Sequence, residues 1–134
     1  MKRLLIALAM LLAVPVFADS SVVVHKKWGI KYVTGGMTQQ EQTDLQEIAP
    51  RYPVHLFFFV EGSDQPIKGV KVTARDVRGE VILEAESEGP MFLFEVNGGR
   101  YTIEAEYKGQ KLSEVKDLVG RRYLVLQYAF GGGT

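Results

Sequence analysis

The side chains that could do chemistry in this chain are few and far apart. It has two histidines, His25 and His55, and no cysteine, so disulfides, thiolate metal sites and cysteine nucleophiles are all absent. His25 stands beside Lys26 and Lys27, whose charges disfavour a bound cation. His55 has only Glu61 as a nearby carboxylate in sequence, and no spacing singles out the acidic side chain that a three-ligand metal site would need. Glu104 and Glu106, like Glu84 and Glu86, alternate along a strand, which puts each pair about 7 Å apart on one face. That separation suits an acid/base pair, but it is equally the pattern of a solvated sheet face. Ser20, Ser21, Ser63, Ser87 and Ser113 lie in turns, strand ends and the N-terminal segment, none of them in a Gly-x-Ser-x-Gly elbow. Gly35-Gly36 precedes a helix start that could bind an anion, except that Thr38 and Glu41 already occupy its free N–H groups. No catalytic, cofactor-binding or metal-ligating residue is therefore predicted. What remains is aromatic: Trp28, Tyr32 and Tyr52 form the predicted interaction surface, Trp28 and Tyr32 foremost because their segment is otherwise polar.

The elements that would position these residues are mostly strands. Thr38 with Glu41 three residues on is a capping box, and Leu45, Ile48 and Ala49 share one helical face before Pro50. The spacing predicts one amphipathic helix over 38–49. Leu56-Phe57-Phe58-Phe59-Val60 is a continuous apolar run, as in a strand covered on both faces, one by the opposite sheet and one by the helix. Val70, Val72 and Ala74 alternate with Lys71, Thr73 and Arg75, and the same period of two runs through Val81–Ala85, Phe92–Val96, Tyr101–Tyr107 and Leu124–Tyr128. A weaker strand lies near 111–116. Glycine turns separate these segments, and Asn97-Gly98 is the strongest hairpin signal, a type I′ turn. The fold expected is mainly β: a single antiparallel sandwich, immunoglobulin-like or prealbumin-like, of about seven strands with one short helix.

The N-terminus predicts export. Lys2 and Arg3 precede the apolar stretch 4–17, and Val16-Phe17-Ala18 offers small residues for cleavage between Ala18 and Asp19. Cleavage leaves fourteen basic against sixteen acidic residues, interspersed along the chain, which is no nucleic-acid footprint. No membrane span is expected after it. The organisation expected is a signal peptide at 1–18, an N-terminal arm or edge strand at 19–36, a sandwich domain at 37–130 and a flexible tail at 131–134. An exported domain lacking cysteine fits the bacterial periplasm.

Three pieces of the chain resemble the carboxypeptidase regulatory-like domains, prealbumin-like sandwiches found as accessory modules. These are Pro66-Ile67-x-Gly69-Val70-x-Val72, then Asp76-x-x-Gly79, then Gly99-Arg100-Tyr101-Thr102-Ile103 leading to Tyr107-x-Gly109. More narrowly, Tyr32 to Gly36, the acidic helix and Tyr52-x-Val54-x-Leu56-Phe57 are similar to small exported proteobacterial proteins that carry such a domain. The resemblance implies a sandwich and an accessory role, and brings no catalytic residues. Ser87-Glu88-Gly89-Pro90-Met91-Phe92 departs from the Thr-Asp-x-x-Gly-x-Phe turn of the commoner modules. Transthyretin-like hydrolases end in Tyr-Arg-Gly-Ser, whereas this sequence ends Gly131-Gly132-Gly133-Thr134.

The expectation is thus a non-catalytic envelope protein, without cofactor, whose partner is another envelope protein or a surface ligand. Protein–protein interaction through a strand edge or the Trp28 to Tyr32 arm is the leading form. A small-ligand or glycan module using an aromatic patch is the alternative, and a hydrolase with an unrecognised site the remote one.

Overall fold

Alternating side chains need two sheets to bury them, and two sheets are what forms. The computed structural model describes residues 22–131; the predicted signal peptide and residues 132–134 of the predicted tail lie outside that range. Among the described residues there are nine strands: β1 (His25–Lys27), β2 (Ile30–Gly35), β3 (Val54–Val60), β4 (Lys71–Arg75), β5 (Val81–Glu86), β6 (Met91–Phe94), β7 (Arg100–Tyr107), β8 (Gln110–Asp117) and β9 (Leu124–Phe130). One helix, α1 (Gln39–Ile48), runs into a single 3-10 turn at Ala49–Arg51. The sheets are ordered β1-β2-β6-β3-β9 and β5-β4-β7-β8. Every pairing is antiparallel except β3 with β9, which is parallel.

The core lies between the sheets. Leu56, Phe58, Phe92, Phe94, Leu126, Tyr128 and Phe130 of one sheet meet Val72, Ala74, Leu83, Ile103 and Ala105 of the other. A smaller cluster of Val33, Leu45, Tyr52, Met91 and Leu93 sits on the outer face of the five-stranded sheet, roofed by α1. That second cluster is why β6 is buried on both faces and reads Met-Phe-Leu-Phe without a polar residue.

The capping box forms with a longer reach than the sequence implies. The Thr38 hydroxyl accepts from Glu41 N at 3.1 Å, while the Glu41 carboxylate accepts from Gly36 N and Met37 N, at 3.0 and 2.9 Å. Glu41 therefore ties the helix to the end of β2. There Gly89 crosses so close to Gly35 that a Cβ on it would stand 2.2 Å from the Gly35 carbonyl oxygen, so only glycine fits.

Two expectations change. The count of about seven strands rises to nine because the segment called an arm or edge strand folds into the β1–β2 hairpin and joins β6. Asn97-Gly98 is not a type I′ hairpin. Neither residue has a positive φ, and β6 and β7 on either side belong to different sheets, so the segment crosses between layers. Two hairpin turns do take two successive left-handed residues, Trp28-Gly29 (φ 53 and 82) and Lys108-Gly109 (φ 49 and 82). They close β1–β2 and β7–β8.

Apolar coverage of β3 is uneven. Leu56 and Phe58 point into the core and Phe57 packs beneath α1, but Phe59 is 39% exposed. The helix roofs β2, β6 and Phe57 of β3 and leaves Phe59 and, on β9, Val125 open to solvent.

Candidate functional site

Two turns and a crossover meet at one end of the sandwich, and a groove opens between them. Trp28 and Gly29 come from the β1–β2 turn, Asp76 from the β4–β5 turn and Glu95 to Asn97 from the crossover, with Ile30, Pro53, Ile82 and Tyr101 from adjoining strand ends. Its volume is about 530 Å³. Ile30, Ile82, Val96 and Tyr101 also pack against the main core, so the floor is apolar and continuous with it. Asp76, Glu95 and the Asn97 amide supply the polar rim.

Trp28 is the most conspicuous part. A bulky aromatic residue is uncommon at positive φ, and the position normally takes asparagine, aspartate or glycine. Its side chain is nevertheless 62% exposed, so packing does not compensate the backbone strain. The Lys27 ammonium stands 5.2 Å from the Trp28 ring centroid and donates to the Glu84 carbonyl of β5 at 2.8 Å. Lys27 thus steadies the hairpin tip and ties the edge of one sheet to the other.

The opposite wall is fixed by hydrogen bonds. Asp76 Oδ1 accepts from the backbone N–H groups of Glu80 (3.0 Å) and Arg78 (2.9 Å), folding the β4–β5 turn. The N–H of Glu80 above all holds the carboxyl below the usual aspartate range, so this rim position is anionic at neutral pH. Tyr101 donates to the Asn97 carbonyl at 2.7 Å. Burial, reinforced by the charge of Asp76, raises its phenol and keeps it neutral. Glu95 is exposed and forms no ion pair among the described residues. Aromatic faces bordered by carboxylates can stack on a sugar ring or hold a cationic group while accepting hydrogen bonds from its hydroxyl or amine donors.

The three residues predicted as an interaction surface do not form one. Only Trp28 lines the groove. Tyr32 is half-buried, stacked between His25 and Phe92 with centroids 4.9 and 5.0 Å away. Tyr52 is a correction: it is 5% exposed, inside the cluster under α1, because the 3-10 turn swings its ring onto Val33 and Leu93. Asp76, Ile82 and Tyr101 were not among the sequence candidates. Their one sequence signal is that each flanks a strand boundary, and nothing local says that the β4–β5 turn meets the start of β7 and the Trp28 turn.

The residues weighed for chemistry have structural partners. His55 Nε2 lies 2.7 Å from the Tyr52 carbonyl and 3.0 Å from that of Ala49; carbonyls only accept, so this nitrogen carries the proton and holds the 3-10 turn. His25 Nε2 is 3.9 Å from Glu88 Oε2. Ser87 is buried, its hydroxyl accepting from Val70 N at 3.0 Å. Glu104 pairs with Arg75 at 3.7 Å and Glu84 with Lys71 at 3.2 Å, on the polar outer face of the four-stranded sheet. Among the described residues no three His, Asp or Glu side chains gather as a metal cluster would require.

Comparison with known protein families finds no matching family model, and no curated protein matches the chain either.

Proposed function

We propose that this chain is a non-catalytic binding protein of the cell envelope and that the Trp28 groove is its ligand-binding surface. The observation that carries the reading is Trp28 itself. An exposed tryptophan held in a left-handed turn gives up local stability for a side chain that touches little of its own protein. The predicted export signal and the resemblance of the β4–β7 region to accessory modules support the envelope setting.

A preformed concavity with aromatic walls favours a glycan or other small polar ligand at this surface over a flat protein contact. Protein–protein interaction remains the reading for the open strand edge, a separate region of the molecule.

Trp28 is the chain's sole tryptophan, so its fluorescence reports directly on the groove. Titration with soluble envelope oligosaccharides should change its emission saturably, and Tyr101→Ala should weaken that response. Trp28→Asn restores the residue the turn prefers, so it should raise stability on urea unfolding, by up to about 1 kcal/mol. Retention of the Asn97–Tyr101 wall with loss of oligosaccharide binding in Trp28→Asn, read by calorimetry, supports the groove. Unchanged Trp28 emission across the oligosaccharides, with a protein crosslinked at the hairpin tip in the native envelope, would replace the glycan reading by a protein one.

A further inference from the structure

The two ends of the sandwich expose different side chains. Among the described residues the exposed large apolar ones are Val23 and Val24 before β1, Phe59, Val115 and Val125 on strands, and Trp28, Val77, Val119 and Tyr123 in the connections between strands. All four in connections belong to the end where the groove opens. Trp28 and Val77 ride on its two turns, and Val77 is 72% exposed. The β8–β9 loop is drawn to the same end by Leu118 N, which donates to Gly99 O at 2.7 Å, and by Leu124 N, which donates to Pro53 O at 2.7 Å. The turns of the opposite end, at 61–64, 88–90 and 108–109, expose no large apolar side chain.

Val119 stands at the corner of a four-residue turn. Arg121 N donates to Leu118 O at 3.1 Å, and Gly120 takes φ 76 in the third position. Buried Leu118 anchors that turn in the core, while Val119 is 67% exposed where turns ordinarily carry polar residues. Arg121 and Arg122 follow it, both exposed. The next residue, Tyr123, donates its hydroxyl to Pro50 O at 3.1 Å, which sets Arg51 beside them. Arg75, Arg78 and Arg100 pair with carboxylates, whereas Arg51, Arg121 and Arg122 form no ion pair among the described residues. The carboxylates nearby do not neutralise them: Asp117 is taken by Arg100 and by Val119 N, Glu95 lines the groove, and Glu47 lies one turn back on α1.

We propose that this end of the sandwich docks on an anionic lipid bilayer. Trp28, Val77 and Val119 enter the interfacial layer, and Arg51, Arg121 and Arg122 meet the lipid phosphates. The apolar side chains stand on separate turns around a groove of about 530 Å³, so they form no continuous face of the kind that packs against a protein. A fluid bilayer closes around each tip separately. Tryptophan and tyrosine favour the boundary between water and hydrocarbon, and arginine can lay its stem in the apolar layer with its head among phosphates. A guanidinium without a carboxylate partner offers a phosphate its fork of N–H donors. Apolar tips and unpaired cations on one end are thus complementary to a surface that is negative outside and apolar beneath.

Vesicles of phosphatidylethanolamine and phosphatidylglycerol should carry the protein down on sedimentation, and vesicles of phosphatidylcholine should not. On the anionic vesicles the sole tryptophan, Trp28, should emit at shorter wavelength and be quenched by bromine on the acyl chains. Glycerol phosphate in solution should do neither. An arginine at such a surface contributes about fivefold to partitioning, so Arg121→Gln with Arg122→Gln should weaken it about thirtyfold. Lys108→Gln with Lys111→Gln removes as much charge from the opposite end and should leave binding nearly unchanged. Val119→Ser should weaken binding without altering its salt dependence. All these positions are exposed, so the folded circular-dichroism spectrum should be kept. No partition into anionic vesicles at low salt, equal losses from the two charge pairs, or sedimentation without quenching of Trp28 would overturn the inference. So would displacement by glycerol phosphate, which would make the arginines a small-anion site, or tighter binding to polyglutamate, which would make them a site for an acidic protein. Val119, Arg121 and Arg122 line no part of the groove and these vesicles carry no sugar, so neither result decides oligosaccharide binding at Trp28.

Discussion

Strands β8 and β9 are neighbours along the chain and lie at the edges of opposite sheets, yet they solve the same problem differently. Both present unpaired backbone to one side. β8 puts Glu114 and Lys116 on the face that looks toward the core, giving up burial for an edge that repels company. β9 keeps Leu124, Leu126, Tyr128 and Phe130 on that face, nearly sealed from water, and so keeps its full packing energy while leaving its edge unguarded. An edge strand can be a strong core strand or a shielded one, but alternate residues cannot serve both purposes.

Truncating the buried side chains tests that division most severely. Leu126→Ala should cost about 2–5 kcal/mol by urea unfolding, and Leu112→Ala, at the half-buried equivalent on β8, clearly less. Equal losses would mean that β8 packs as tightly as β9. The next effect concerns Tyr128, whose buried hydroxyl donates to the Ile103 carbonyl across the sandwich at 3.1 Å. Tyr128→Phe should cost about 1 kcal/mol at neutral pH. Burial, with lesser contributions from Glu114 and Glu104, pushes the Tyr128 phenol well above its ordinary value of 10.0. Because the folded value is the higher one, its contribution is intact below about pH 10 and is lost as pH rises from there toward the folded value. The phenylalanine variant should therefore lose less stability than the parent on going alkaline, as thermal unfolding across that range would show.

The smallest effect on stability sharpens the comparison most. Replacing Glu114 and Lys116 together by valine should shift the unfolding midpoint little, since a half-exposed ion pair contributes about 0–1 kcal/mol. Association should nevertheless rise, because a protomer with two open edges can grow in both directions. Sedimentation showing no species larger than that of the parent would mean that something other than those charges guards β8.

Much of the fold was legible because it depends on near neighbours. Thr38 and Glu41 announce the start of α1, and Val70, Val72 and Ala74 announce a half-buried strand, through contacts within one element. Asn97-Gly98 misled because turn chemistry encodes a change of direction, not the sheet that the next strand joins. The β1–β2 hairpin was hidden because Trp28-Gly29 is an unfavourable pair for a type I′ turn and its flanking lysines show no alternation. The site followed the same rule. Trp28 could be picked out from its polar surroundings, whereas the groove also needs Asp76 and Ile82 from the β4–β5 turn and Tyr101 from the start of β7, regions distant from it in sequence. Tyr52 was misplaced because a helix packing from outside decides its burial.

The parallel pairing of β3 with β9 also governs how this molecule is made. β3 holds the longest apolar run among the described residues, and its partner arrives about seventy residues later, after the whole second sheet has been threaded. Until then one side of that run is uncovered. A synthesis that stops before β9, or a protease that clips it away, would leave behind an uncovered segment prone to stick to its own kind. β9 is thus the strand on which β3 waits.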